Sequence, residues 1–215
     1  MKRLSVRTTL VLGLTIAVLT VSGCAGKGEL RYLDLHMKQP AAQFAEMEPV
    51  KIAIEPFEDR RVEKSRVGMH SHLWGGVTYF NVVGERPGDV ITQALADRLK
   101  ACGWRERAWN VHVSPAGSVT DADIVISGQV QDFSANAKSR AFSTLIDTNS
   151  RFTIRARNLG DKSTTTRSVE GVQSRTVFWF DEDDVQELLS ATLKDGIDRF
   201  IADTMIEQKG LRPAR

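Results

Sequence analysis

The sequence predicts an α+β domain built as a two-layer sandwich. In it, two amphipathic helices cover one face of a mostly antiparallel sheet of about four strands, with an inserted β-hairpin. Three observations predict this fold class. Two segments carry apolar residues at helical spacing, several segments alternate apolar with polar residues, and a Gly-Gly pair lies among strand-type residues.

The strands follow from alternation and from turn residues. The segment VKIAIEPF (50–57) is predicted as the first strand, and the charged run after it, EDRRVEKSR, as a loop. In ADIVISGQVQDFSA (122–135), Ile124, Ile126 and Val130 are expected on one face. Residues 150–157 form the next predicted strand, and 164–180 carry the last strand or strands.

Both predicted helices have recognisable ends. The first begins near residues 87–89 and ends at Gly103, a residue suited to a left-handed C-cap. The second runs from about Asp183 to Ile206 behind the acidic sequence DEDD (181–184). These carboxylates are suited either to a hard cation or to capping a helix, and the absence of a glycine-turned loop of oxygen ligands favours the cap.

The N-terminus is typical of a bacterial lipoprotein signal peptide. A basic start precedes an apolar run from Leu10 to Val21, shorter than the roughly 20 residues of a membrane-spanning helix. The run ends in LTVSGC (19–24), which resembles a lipobox and predicts a lipid thioether on Cys24, with further acylation such as palmitate. The alternative is an ordinary secretory signal followed by a chance cysteine.

Lipidation at Cys24 predicts a membrane anchor. The next residue, Ala25, is not the aspartate that retains lipoproteins in the inner membrane. We therefore expect attachment to the outer membrane on its periplasmic face, or to the cell membrane if the cell has only one.

Four regions are predicted. Residues 1–23 form the signal peptide, 24–49 the lipidated N-terminus and tether, 50–206 a single periplasmic domain and 207–215 a C-terminal tail. Removal of the signal peptide leaves 26 basic and 27 acidic side chains, a net charge of −1, so nucleic acid is not an expected partner.

The order of elements along the chain resembles that of the YajG-like bacterial lipoproteins. The resemblance rests on the lipobox, the first strand followed by EDRR, the helix VITQALADRLKACGW, the strands ADIVISGQV and SRFTIRARN, and the terminal amphipathic helix. The likeness covers residues 24–206 and leaves out HLWGG (72–76). The helix-on-sheet order is also similar to envelope-assembly lipoproteins. The resemblance implies a fold and a compartment, and it supplies no active site.

The segment GMHSHLWGGVTYFNV (68–82) predicts a hairpin turning at Gly75-Gly76, with Trp74 paired to Val77 and His70 to Asn81. One face would then hold His70, His72, Trp74, Val77, Tyr79 and Asn81. The other face, which is expected to be buried, would hold Met69, Ser71, Leu73, Thr78, Phe80 and Val82.

Two histidines on one face could share a metal, but zinc needs three or four ligands, so we predict no metal site. His72, Trp74 and Tyr79 are the candidate partner-binding residues. The alternative is a hairpin that only covers an end or edge of the sheet.

A second candidate surface is a row of arginines. Arg151, Arg155 and Arg157 alternate along one predicted strand, which is the pattern of a solvated sheet face or of a surface for an anionic ligand.

The sequence contains no evident catalytic constellation. It has no GxSxG elbow, Ser127-Gly128 lies within a predicted strand, and Cys102 falls on the apolar side of a helix, where an inert thiol is expected. The sequence therefore predicts a non-enzymatic, membrane-anchored accessory or assembly component of the cell envelope, with no cofactor and with an envelope protein as partner. The alternative is a lipoprotein that binds a lipid or another small ligand, and a hydrolase is a more distant possibility.

Overall fold

The computed structural model describes residues 27–35, 46–103, 107–118 and 121–214 of the 215-residue chain. Over these residues the protein is mostly β, with nine strands in one mixed sheet and two helices packed on it. The predicted antiparallel sheet of about four strands is therefore wrong. Parallel pairs between strands far apart in the chain account for the difference, because periodicity identifies a strand without identifying its neighbours.

The sheet contains, in chain order, β1 Lys27–Leu33, β2 Glu46–Ile54, β3 Glu58–Asp59, β4 Gly68–Ser71, β5 Val77–Val82, β6 Arg107–Val113, β7 Ile124–Arg140, β8 Ser143–Asn158 and β9 Thr164–Val177. The helices are α1 Pro87–Cys102 and α2 Glu182–Ala202, and a separate hairpin consists of β10 Thr204–Glu207 and β11 Gly210–Pro213. Parts of the segment predicted as a tether thus lie in β1 and β2, and parts of the predicted tail in β10 and β11.

Strand β7 is the centre of the sheet. On one side it pairs antiparallel with β8, which pairs antiparallel with β9. On the other side three strands pair parallel with it in succession: β2 beside 124–126, β3 beside 129–130 and β4 beside 135–138. Strand β6 extends the sheet beyond β2, and β5 and β1 extend it beyond β4.

Most of the buried residues of β7 lie on the face covered by the helices, with Val125 on the opposite face. Ile124, Ile126 and Val130 are fully buried, so their predicted placement on one face is confirmed. The register with β8 then shifts between Val130 and Asp132. Because such a bulge adds one residue to the alternation, Phe133 is buried as well.

Helix α1 begins at Pro87 and ends at Cys102, close to its predicted bounds, and Gly103 follows with a positive φ of 60°. The helices lie side by side, joined where the Arg98 guanidinium of α1 donates two hydrogen bonds to the Asp198 carboxylate of α2. A bidentate pair of this kind fixes orientation as well as separation.

Helix α2 is capped by the acidic residues before it. The Asp181 carboxylate accepts a hydrogen bond from the Asp183 N–H, and the Asp184 carboxylate accepts one from the Asp181 N–H. The interpretation of DEDD as a helix cap is confirmed, and a cap of this kind contributes about 1 kcal/mol. The helix ends at Ala202, earlier than predicted, and Met205 lies in β10.

Close packing at Gly128 generates a stability prediction. A Cβ at this position in β7 would lie 2.3 Å from the Phe57 ring. We expect Gly128→Ala to lower the free energy of unfolding in urea by about 1–3 kcal/mol, because the ring must move. Replacing Phe57 by Leu in the same chain should reduce the loss below the sum of the two single effects.

The matched control is Gly160→Ala, since Gly160 lies in the β8–β9 turn with no atom within 4 Å of an added Cβ. An equal loss of stability in both alanine variants would contradict the packing argument.

Candidate functional site

The β4–β5 hairpin has a different register from the predicted one. Its strands pair His70 with Thr78 and Ser71 with Val77, and residues 72–76 form the connection. Within it the His72 N–H donates to the Gly76 carbonyl at 3.2 Å. The predicted two-residue turn is therefore wrong, and the pairing is displaced by three residues. Because side chains alternate between the two faces of a strand, a displacement by an odd number of residues brings each β4 side chain onto the same face as the other set of β5 side chains.

The observed register buries the opposite set of β4 side chains. His70, only 4% exposed, lies with Thr78 and Phe80 on the helix-covered side of the sheet. Met69 and Tyr79 lie on the other side, where Met69 is exposed. The prediction that Met69, Ser71 and Leu73 share a buried face with Phe80 is thus wrong.

His70 lies at the centre of a small ring cluster. Its ring centroid is 4.2 Å from that of His72 and 3.9 Å from that of Phe180, which follows β9. The Nε2 atom of His70 is 2.8 Å from the Ser139 hydroxyl, and Nε2 of His72 is 2.9 Å from the Thr78 hydroxyl. Both imidazoles therefore have hydroxyl partners within hydrogen-bonding distance.

The cluster opens into a pocket of about 390 Å³ with charged residues at its mouth. Arg31 lies 2.9 Å from the Glu29 carboxylate and 3.2 Å from the Glu182 carboxylate. No group of three or more His, Cys, Asp or Glu residues in the described part of the chain is arranged to hold a metal ion.

Burial and then repulsion from His72 lower the pKa of His70 to about 4. The imidazole is therefore neutral at pH 7, as its place beside Phe180 requires.

The three candidate partner-binding residues do not share a face. His72 is half-buried on the helix-covered side, and Tyr79 lies on the opposite side under the Arg66 guanidinium, 4.5 Å from its ring centroid. Trp74 lies in the connection and is 91% exposed. Their role in binding a partner stays a prediction.

The candidate arginine face lies on the side of the sheet opposite the helices. Arg151, Arg155 and Arg157 are all exposed there, along β8. Arg151 pairs with Glu170 of β9 at 3.3 Å. A role in binding an anionic ligand stays a prediction for these residues.

A groove of about 410 Å³ adjoins Arg151, beside the short stretch of β7 that lies between its pairings with β3 and with β4. The buried Arg61 guanidinium occupies this gap and donates hydrogen bonds to Asp59 and to the Arg66 carbonyl. Within the described ranges, the only buried side-chain oxygens without a hydrogen-bond partner are those of Gln131, which lines the groove, and of Asn149. The groove therefore has, in its lining, one buried acceptor that the described residues leave unpaired.

Three further residues were considered from the sequence: Ser127, Cys102 and Cys24. Ser127 lies within β7, as predicted. Cys102 is half-buried, and burial raises the pKa of its thiol. Cys24, the predicted lipidation site, lies outside the described residues. The described helices include none that is both long and apolar enough to cross a membrane.

Sequence reasoning missed Phe180 and Arg61. A signal existed for the aromatic residue, because the consecutive Phe178, Trp179 and Phe180 cannot all face one side of an alternating strand. Arg61 gave no such signal, because its burial depends on the gap beside β7.

No family model matches the chain, and no curated protein matches it in sequence. Among solved structures, protein XCC0632 from Xanthomonas campestris, of the DUF330 family, is similar with a TM-score of 0.53 and 8% identity, covering 80% of this chain and 92% of that one. This likeness shows a shared fold.

Two further structures are more distant. Lipoprotein GNA1162 from Neisseria meningitidis has a TM-score of 0.32 and 12% identity, covering 68% of this chain and 97% of that one. A PelC dodecamer from Paraburkholderia phytofirmans has a TM-score of 0.37 and 11% identity, covering 74% of this chain and 92% of that one. Scores this low carry no argument about function.

The lowered pKa of His70 generates a prediction for stability against pH. An unfolded histidine binds a proton near pH 6.5, whereas folded His70 does so near pH 4. Between these values the unfolded state holds more protons, so the stability due to His70 is fully present above pH 6.5 and is lost as pH falls. We expect this loss to reach about 2–3 kcal/mol by pH 4.

Urea unfolding at pH 7 and at pH 5 measures this effect. The free energy of unfolding of His70→Gln is subtracted from that of wild type at each pH, so the contribution of the carboxylates, which both proteins share, cancels. His112→Gln is the control, since His112 is exposed at the end of β6. If His70→Gln retained the full pH dependence of wild type, the burial argument would be refuted.

Proposed function

We propose that the chain is a membrane-anchored bacterial lipoprotein that acts as a non-enzymatic accessory or assembly component of the cell envelope. Three features support this proposal: the lipobox ending at Cys24, the fold shared with a DUF330 protein, and a broad sheet face that the helices leave uncovered. Membership among the YajG-like lipoproteins and placement in the outer membrane are parts of the same proposal.

The observation that carries the partner-binding role is the arginine face. Arg151, Arg155 and Arg157 project from one strand of a three-stranded antiparallel ribbon whose facing residues on β9 are Glu170, Thr166 and Thr164. Guanidinium groups among hydroxyl side chains can bind carboxylates of a partner protein through paired hydrogen bonds. We propose an envelope protein with an acidic surface as the partner.

A second candidate function is the binding of a small polar ligand, and the groove beside Arg151 favours it. Its volume of about 410 Å³ and the partnerless Gln131 oxygen suit a ligand that donates a hydrogen bond. A bound small molecule in native mass spectra, lost in Gln131→Leu, would favour this function over the first.

The anchor generates one prediction. Replacing the predicted acceptor by Cys24→Ser should abolish incorporation of labelled palmitate and release the protein from the membrane fraction, because the thioether cannot form. Cys102→Ser is the matched control and should remain labelled. Membrane retention and labelling of Cys24→Ser would contradict the proposed anchor.

The arginine face generates another prediction. A photo-crosslinking amino acid at Thr153, between the arginines on β8, should capture an envelope protein in cells. Replacing both Arg155 and Arg157 by Glu should reduce the adduct at least about tenfold, because the charge complementarity is reversed.

A probe at Lys100, exposed near the end of α1, is the control position and should capture nothing comparable. Recovery of an uncrosslinked monomer from every position would count against a protein partner.

A further inference from the structure

Among the residues that the structure describes, four large aromatic side chains are exposed to solvent in segments that directly follow sheet strands. Trp74 is 91% exposed, Phe142 86%, Phe178 84% and Trp179 91%. Exposed aromatics of this size are usually buried on docking, since each can remove about 150–250 Å² from water.

The strand register brings all four to one end of the sheet. Strand β4 runs parallel to β7 with Ser71 beside Lys138, so the connection that holds Trp74 leaves the sheet where β7 ends. Phe142 forms the turn between β7 and β8. Strand β9 ends at Val177 beside Thr144, so Phe178 and Trp179 follow at the same end.

Strand β1 also begins at this end, three residues after the predicted lipidation site. Strand β1 runs parallel to β5, with Lys27 beside Val77, the first residue of β5 after the Trp74 connection. Cys24 precedes Lys27 by three residues. Three residues span at most about 11 Å, so a lipid on Cys24 would tether the chain within that distance of the start of β1.

We propose that this end of the domain, carrying Trp74, Phe142, Phe178 and Trp179, docks on the surface of the phospholipid bilayer. The inference rests on the proposed lipid anchor at Cys24 and goes beyond it by assigning the membrane-facing surface. The domain then lies directly against the membrane at its aromatic end, because β1 begins only three residues after the anchor.

The chemistry of the segments fits a lipid interface. The residues at the tips carry no charge: Leu73, Trp74, Gly75 and Gly76, then Ala141 and Phe142, then Phe178 and Trp179. Tryptophan is enriched at membrane interfaces, where one part of the ring contacts acyl chains and the N–H contacts headgroups. Lys138 and Arg140, exposed near the end of β7, can contact lipid phosphates.

Docking at this end orients the rest of the domain. Strands β7 to β9 lead away from the bilayer, and the 16 residues of β8 span about 50 Å. Arg155 and Arg157 lie at the far end of β8, so they would face away from the membrane toward a partner.

Tryptophan quenching by brominated lipids tests the proposal. The full-length lipidated protein is reconstituted in vesicles of phosphatidylethanolamine and phosphatidylglycerol with brominated acyl chains. Of its four tryptophans, Trp74 and Trp179 lie in the aromatic end, and Trp109 is buried. Fractional quenching should fall at least about twofold in the variant Trp74→Phe with Trp179→Phe, which retains the apolar surface.

A matched control adds Leu159→Trp to that double variant. Leu159 is exposed in the turn between β8 and β9, at the opposite end of the sheet, so a tryptophan there should remain unquenched. Replacing Phe142 and Phe178 by Ser should also reduce quenching of the remaining tryptophans while leaving the urea midpoint unchanged, since both rings are exposed.

Three results would overturn the docking surface. Equal fractional quenching in wild type and the double phenylalanine variant would exclude contact at this end. Burial of this end against a second copy or another protein would exclude the bilayer as its occupant. Quenching restored by Leu159→Trp would place the bilayer at the opposite end of the sheet. The mass of the N-terminal peptide separately reports the lipid on Cys24: a lipidated protein with unquenched Trp74 and Trp179 refutes the docking alone, and absence of the lipid refutes the anchor.

Discussion

The backbone ladder of β7 is the interaction on which the rest of the sheet depends. One edge of this strand is hydrogen-bonded to β8, and its other edge is divided among β2, β3 and β4. Because buried backbone groups must be paired, the three partners have to follow one another without overlapping. The short gap between β3 and β4 is filled by the guanidinium of Arg61, which donates to the Phe133 carbonyl of β7.

This divided pairing places the two proposed binding surfaces at opposite ends of the sheet. The pairing of β4, β5 and β1 near the end of β7 places the aromatic connections and the start of β1 together. The pairing of β2 and β6 near the start of β7 leaves Arg155 and Arg157 at the other end, on the face without helices. The proposed membrane-facing end and the proposed partner-binding face therefore both follow from one strand order.

Local patterns predicted the two helices, the Asp181 cap and the buried face of β7, because each depends on residues within a few positions of one another. They also predicted that Arg151, Arg155 and Arg157 share an exposed face, since alternation within one strand is enough. They failed at the hairpin, where the Gly75-Gly76 pair indicated a tight turn and the chain forms a wider connection. In the hairpin, β4 pairs with β5 in a different register and also pairs parallel with β7, and His70 therefore lies against Ser139 and Phe180.

The sequence by itself determined the alternation that defines strand faces, the existence of the two helices and the acidic cap of α2, and it is the basis for the predicted anchor at Cys24, because all of these depend on local patterns. Only the tertiary structure decided which strands are neighbours, because parallel partners such as β1 and β5 or β2 and β7 are separated by many residues and meet only when a common core forms. That long-range pairing brings Trp74, Phe142, Phe178 and Trp179 to one end of the sheet. It also leaves His70 buried and neutral, although its sequence surroundings indicated an exposed binding face.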